Sequence, residues 1–141
     1  MNSKILVIVL VLVALVGGGI FISQQPKSQQ AREREEISLS SDRYVPYSQA
    51  AFNAASNKRR VLYFHADWCP TCRPLNAALT ADPNQIPEGV VLFKTNYDTE
   101  IALKTKYGIT YQHTFVEVDA QGNAVQTWSG GNVEDVVSRL Q

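Results

Sequence analysis

Two cysteines three positions apart, in Trp68-Cys69-Pro70-Thr71-Cys72, carry the chemistry that can be read from this chain. They are its only cysteines. One pair cannot build a disulfide framework, but it can form one redox disulfide or half of a metal site. Val61 to Ala66, just before the pair, is a short apolar run with strand character. From Cys69 to about Thr80 the pattern is helical, with Leu75 and Leu79 at i, i+4. The pair therefore falls at a strand-to-helix junction, on the helix's first turn. Unpaired amide donors and the helix dipole favour an anion there. That lowers the pKa of the first, more exposed thiol, and the thiolate is the nucleophile. Pro70 suits the first helical position, where a missing amide hydrogen is no loss, and Arg73 adds positive charge nearby. Cys69 is thus expected to attack and Cys72 to resolve. Attack on a substrate disulfide gives a mixed disulfide, which Cys72 then cleaves.

The elements that must hold this pair follow from periodicity and punctuation. Tyr47 to Lys58 is Ala-rich and helical, with Ala50, Ala51, Ala54 and Ala55 on or near one stripe. Asp82-Pro83-Asn84 is a turn and Val90 to Phe93 a second buried strand. Asp98 to Tyr107 fits a helix capped by Asp98 and closed by Gly108. Phe115 to Val118 and Ala124 to Trp128 flank a hairpin loop, and Asn132 caps a last helix through Leu140. The order α-β-α-β-α-β-β-α predicts an α/β fold, a mixed sheet with helices on both faces. Trp68 reads as an exposed apolar rim of the site and Trp128 as core.

The whole chain has 141 residues, 45% of them hydrophobic, with 8 glycines and 6 prolines, which excludes a collagen-like or wholly disordered chain. Lys plus Arg and Asp plus Glu both number 13, so no electrostatic argument favours nucleic acid. No Gly-rich phosphate loop, paired carboxylate site or serine triad appears, and no cofactor site is visible.

Four segments are expected. Residues 1–4 form a short tail. Residues 5–22 form an uncharged apolar run that just reaches the length of a membrane-spanning helix. It is read as a retained signal-anchor, because it exceeds the usual apolar part of a cleaved secretory signal and no clear Ala-x-Ala site follows. Residues 23–42 are a polar tether. Residues 43–141 are the globular domain. Lys4 precedes the span, whereas Lys27, Arg32 and Arg34 follow it, so the Lys/Arg count does not favour a cytoplasmic amino terminus. The short tail nonetheless resembles a signal-anchor start. The expectation is a single-pass protein with its domain outside the cytoplasm, on the periplasmic or cell-surface side.

Several segments together resemble the thioredoxin family. Val61 through Cys72 is similar to that family's strand and active-site stretch. Lys94-Thr95-Asn96-Tyr97-Asp98 is similar to its Lys-x-Asn-x-Asp segment, and Lys104 to Ile109 to the lead into its site-facing loop. The resemblance covers about residues 45–141. It implies a thioredoxin-like fold and thiol–disulfide exchange with protein thiols or disulfides, reductase-type, with electrons for a reductase coming from a membrane partner. It also places Trp68, Pro70, Thr71, Lys94 and Thr114 around the cysteines, Lys94 tuning charge and Thr114 offering its backbone to a substrate strand.

The chain departs from the family at three points. Pro70-Thr71 replaces Gly-Pro between the cysteines. Tyr63 stands where the family has a buried acid, and Tyr is a poor proton acceptor because its reference pKa is about 10. His113 stands where the family has its cis-proline. A cis bond without proline costs roughly 2.5–4 kcal/mol, so a trans, differently shaped loop is expected. His65 shares a strand face with Tyr63. With the acid absent, His65 or His113 is a candidate to take the proton from Cys72; the other reading is a packed strand residue at His65 and a loop filler at His113.

Two alternatives use the same residues. Cys69, Cys72, His113 and His65 offer thiolates and imidazoles for zinc or copper(I). A redox-inactive interaction module is the other, and retention of Trp68, both cysteines and Lys94 argues against it. For orientation, a reporter enzyme fused after Gln141 is expected to be active only outside the cytoplasm. Activity confined to the cytoplasm would reverse the assignment.

Overall fold

The computed structural model describes residues 42–141. The expected span at 5–22 and the tether, Asp42 apart, lie outside the described residues. Within 42–141 no helix is long and apolar enough to cross a membrane.

Five strands form one mixed sheet: β1 (Tyr44–Pro46), β2 (Arg59–His65), β3 (Val90–Asn96), β4 (Thr114–Val118) and β5 (Ala124–Ser129), in the order β1-β3-β2-β4-β5. The β1–β3 and β2–β3 pairs are parallel, while β2–β4 and β4–β5 are antiparallel. Four helices flank it: α1 (Gln49–Ala54), α2 (Cys72–Ala81), α3 (Ile101–Tyr107) and α4 (Val133–Leu140). β2 is the central strand, and every residue after Arg59 is buried. Its run of apolar residues reflects burial of both faces.

Alternation along β2 divides the core. Val61 and Tyr63 join Leu75, Leu79, Phe115, Trp128, Val136 and Leu140 on the α2–α4 side. Leu62 and Phe64 join Phe52, Phe93 and Val116 on the α1–α3 side. The one cation buried in β2, Arg60, is satisfied. Its Nη2 donates to the carbonyls of Asp119 at 2.7 Å and Ala120 at 3.2 Å, and its guanidinium lies 4.2 Å over the Phe52 ring.

Most expected elements are present, with shifted ends. The first helix is shorter than Tyr47 to Lys58, because the Ser48 hydroxyl caps it by accepting from Ala51 N and the chain turns after Ala55. The second helix starts at Cys72, not Cys69, so Pro70 precedes the helix and Pro74 falls in its first turn, where its missing amide is not needed. Asp82 caps a short 3-10 turn at Pro83–Gln85. Asp98 does not cap α3, which begins at Ile101 after Glu100. Gly108 does close α3, at φ 64, a left-handed conformation suited to glycine. Asn132 caps α4 reciprocally with Asp135. β1 was not expected. It has three residues and exists through its pairing with β3.

Under the loop carrying the cysteines lies an aromatic column. Tyr63 stacks on Phe115 at 4.6 Å between ring centroids, and Phe115 stacks on Trp128 at 5.1 Å. Trp128 is core, as expected. Phe115→Ala should destabilise the domain by about 3–5 kcal/mol, read as a lower urea midpoint. A loss under about 1 kcal/mol would mean that the column does not anchor this face.

Candidate active site

The strand-to-helix junction presents the two sulfurs. β2 ends at His65, a loop runs from Ala66 to Thr71, and α2 starts at Cys72. Thr71 occupies the N-cap position, yet its side chain makes no cap hydrogen bond. The Cys69 sulfur takes that part, accepting the Cys72 backbone N–H at 3.2 Å. The Thr71 hydroxyl lies 3.3 Å from the same sulfur.

Both cysteines are free thiols and both are buried, 1% and 0% exposed. The expectation that Cys69 is the more exposed is thus corrected: hydrogen bonds, not exposure, separate the pair. Burial alone would raise the Cys69 pKa, but the hydrogen bonds from Cys72 and Thr71 outweigh it and hold the thiol below its ordinary value. Burial pushes the Cys72 thiol up, with the neighbouring Cys69 adding to the rise. The first sulfur is the better nucleophile and the second stays protonated.

Tyr63 sits beneath Cys72. Its hydroxyl donates to the Cys72 carbonyl at 3.3 Å, and burial pushes its pKa far above the ordinary tyrosine value. It is therefore a donor and not a base, as expected. His65 is buried at the end of β2, its ring edge-on to Tyr63 at 5.6 Å. Its Nδ1 lies 3.5 Å from Asp67 and its Nε2 has no partner. Burial, then the nearby Lys94 charge, hold its pKa down. No hydrogen bond joins His65 to either cysteine among the described residues. A proton path from Cys72 to His65 is not formed.

His113 precedes β4. Its peptide is trans, as expected for a residue other than proline, and its φ is 57. It is the one non-glycine residue with positive φ among the described residues, a conformation that costs an L side chain roughly 1–2 kcal/mol. Two backbone bonds hold it: its N–H donates to Phe64 O at 2.8 Å, and its carbonyl accepts from Gly130 N at 2.8 Å. The ring is held as well, with Nδ1 at 2.9 Å from the Thr71 hydroxyl and Nε2 at 3.0 Å from the Gly131 carbonyl. Burial lowers its pKa. The link runs toward Cys69 and not Cys72, which corrects the expected proton route.

The supporting residues separate into those at the sulfurs and those beside them. Trp68 is an exposed rim, 58% accessible, pinned by its Nε1 donating to Asp98 Oδ2 at 3.1 Å. Asp98 faces this rim, and α3 begins only at Ile101, after Glu100. Pro70 and Thr71 line one wall of a groove of about 890 Å³, with Tyr111 and His113 also lining it. Lys94 is half-buried and pairs with Asp67 at 3.9 Å. Thr114 is flanked by strands on both sides, in register with Phe64 and Ser129. An interior position leaves no open backbone edge, so the expected contact with a substrate strand through Thr114 does not hold. Asp67, Asp98 and Gly131 were missed. Asp98 lies in the quoted Lys-x-Asn-x-Asp segment, whereas nothing in a sequence marks a particular carbonyl such as that of Gly131.

The metal alternative meets a similar test. Ligand atoms of Cys69, Cys72 and His113 all lie within 4.8 Å of one another, and His65 is not among them. Both ring nitrogens of His113 are engaged in this structure, so binding an ion through Nδ1 would mean displacing the Thr71 hydroxyl.

Iodoacetamide at limiting dose should modify Cys69 first, its rate rising with pH about a midpoint below the ordinary thiol value of about 8.5. Peptide mapping that found Cys72 modified first would reverse the two roles.

The thioredoxin family model matches residues 44–141. Among curated proteins, thioredoxin H4 of Arabidopsis thaliana is 29% identical over 85 residues, 60% of this chain and 71% of that protein. Thioredoxin-T of Drosophila melanogaster is 26% identical over 87 residues, 62% of this chain but only 55% of that protein. Among solved structures, Trxlp of Edwardsiella tarda matches at TM-score 0.56 with 28% identity, covering 70% of this chain and 98% of that one. Fasciola hepatica thioredoxin matches at TM-score 0.56 with 27% identity, covering 69% and 95%. A parallel βαβ unit with its thiol pair at the strand-to-helix junction, a closing antiparallel hairpin and these matches agree: the chain belongs to the thioredoxin family, the thiol–disulfide oxidoreductases.

Proposed function

We infer that this thioredoxin-family oxidoreductase is a reductase of protein disulfides, tethered at a membrane by residues 5–22 with its domain outside the cytoplasm. The observation that carries the exchange reading is the unequal pair. Cys69 accepts the first amide of α2 at 3.2 Å and has a lowered pKa, while Cys72 has a raised one. A thiolate beside a protonated partner is the starting state of thiol–disulfide exchange.

The Cys69 thiolate attacks one sulfur of the substrate disulfide. A bond forms between them, and the electron pair leaves on the other substrate sulfur, which takes up a proton. Cys72 then loses its proton and attacks Cys69, releasing the second substrate thiol and leaving a Cys69–Cys72 disulfide. The substrate gains two electrons and the pair loses two. Turnover in an oxidising compartment then needs a reductant, and a membrane electron-transfer partner is the class that fits. Trp68 and the groove beside Pro70 form the surface a protein substrate meets.

The test is the equilibrium of the purified full-length chain between dithiol and disulfide in defined thiol buffers. A couple near about −270 mV supports the reductase direction, and one near about −120 mV overturns it in favour of an oxidant. Cys69→Ser should abolish exchange, and Cys72→Ser should trap a mixed disulfide. A chain with no reversible couple would overturn the exchange reading and leave the interaction module.

A further inference from the structure

His113 has two ring nitrogens with different partners, and that difference fixes where its hydrogen lies. Nε2 is 3.0 Å from the Gly131 carbonyl, which can only accept, so Nε2 carries the hydrogen. In the neutral ring Nδ1 is then bare and must accept. Its neighbour at 2.9 Å is the Thr71 hydroxyl, which therefore donates to it. A hydroxyl has one hydrogen, so the 3.3 Å contact between Thr71 Oγ1 and the Cys69 sulfur is left for the thiol S–H to fill as donor. One backbone carbonyl thus sets the direction of a chain of three side chains: Cys69 to Thr71, Thr71 to His113, His113 to Gly131.

We propose that His113 is a positioning residue that holds the proton of Cys69, received and returned through the Thr71 hydroxyl. The proposal rests on the exchange reading above. As the Cys69 S–H proton passes to Thr71 Oγ1, the proton already on Thr71 passes to His113 Nδ1. The products are a thiolate and an imidazolium one hydroxyl apart, with threonine regenerated and its hydrogen now donated to the thiolate. Net charge is unchanged. When the thiolate bonds to one substrate sulfur and the substrate S–S bond breaks, the leaving sulfur takes the proton that returns from His113. The overall step turns a thiol and a disulfide into a mixed disulfide and a thiol, and needs no outside oxidant or reductant.

The surroundings suit this task. The ring is 5% exposed; that burial disfavours the imidazolium, and the Gly131 carbonyl bond to Nε2 acts against it. It is clamped by its left-handed backbone and both nitrogens, which keeps Nδ1 aimed at Thr71. A proline at this position would offer no nitrogen that titrates. The other titratable groups facing His113 do not compete. Tyr63 on β2 is held protonated by burial, and Cys72 on α2 is pushed up. His65 on β2 turns Nδ1 toward Asp67 and feels the His113 charge without a hydrogen bond to it. Asp135 on α4, which lines the same groove, accepts from Asn132 N at 3.1 Å.

The test measures mixed-disulfide formation by the reduced full-length chain with glutathione disulfide across pH 6–9, together with the imidazole NMR titrations. The chain has only two histidines, so the two imidazole titrations can be told apart. Thr71→Val removes the hydroxyl at an exposed position, and His113→Asn keeps a residue type that tolerates positive φ. Each should slow exchange about tenfold near pH 6.5, equivalent to one pKa unit on Cys69, with the deficit closing toward pH 9. The double variant should be no slower than either single one, since both break the same path. Thr71→Ser should recover most of what Thr71→Val loses. Blocking Cys69, or Thr71→Val, should lower the His113 pKa, with a smaller change at His65, which feels the His113 charge. Unchanged rates at pH 6.5 in both variants would overturn the relay while leaving exchange intact. A slow His113→Asn beside a normal Thr71→Val would overturn it too, reducing His113 to a structural role. Absence of exchange in the unaltered chain at every pH would instead sink the exchange reading itself.

Discussion

A sulfur anion in this fold must satisfy two opposed demands. It has to be shielded enough to meet its partner sulfur, and burial raises a thiol's pKa. The amide of Cys72, 3.2 Å from the Cys69 sulfur, resolves the conflict. It is an N–H at the helix start that has no partner inside the helix, so giving it to a thiolate costs the helix nothing. Everything around the site keeps that one bond in place. β2 delivers the loop at a fixed height, and Pro70 and Thr71 carry the chain from Cys69 to the helix start. Pro74 lies where the helix does not miss its amide, so α2 forms in spite of it.

The column of Tyr63, Phe115 and Trp128 is the floor on which that loop rests. The same tyrosine that stacks in the floor donates to the carbonyl of Cys72, the residue whose amide faces Cys69. Packing and electrostatics are therefore joined at Tyr63. An acid at this place would add a negative charge under two sulfurs. A neutral phenol adds none and cannot take a proton at ordinary pH; its hydrogen bond lowers the Cys72 pKa, and burial outweighs that.

Much of this was legible in the residues. The cysteine spacing, the apolar run before it and the helical pattern after it located the site, because all three are local. Gly108 and Asn132 marked helix ends for local reasons as well. What could not be read depended on distant partners. β1 exists because β3 lies beside it. Asp98 looked like a helix cap, but its carboxylate accepts from the Trp68 indole, 30 positions away, and α3 begins only at Ile101. The start of α2 moved from Cys69 to Cys72 because the sulfur, and not the threonine hydroxyl, fills the cap. The histidine at the family's proline position was legible as a departure, but its use was not, since Thr71 and Gly131 meet it only in the fold.

His113 is the one non-glycine residue with positive φ among the described residues. A non-glycine residue at φ 57 costs roughly 1–2 kcal/mol, and the ring is buried besides. Histidine, with asparagine and aspartate, is among the side chains found at positive φ more often than most. What the strain secures is direction: with Nε2 tied to Gly131, the remaining lone pair can point only at Thr71. Burial keeps the proton on Cys72 although the Tyr63 hydrogen bond pulls the other way, while the hydrogen bonds at Cys69 favour its thiolate. That difference between the sulfurs lets one attack while the other waits.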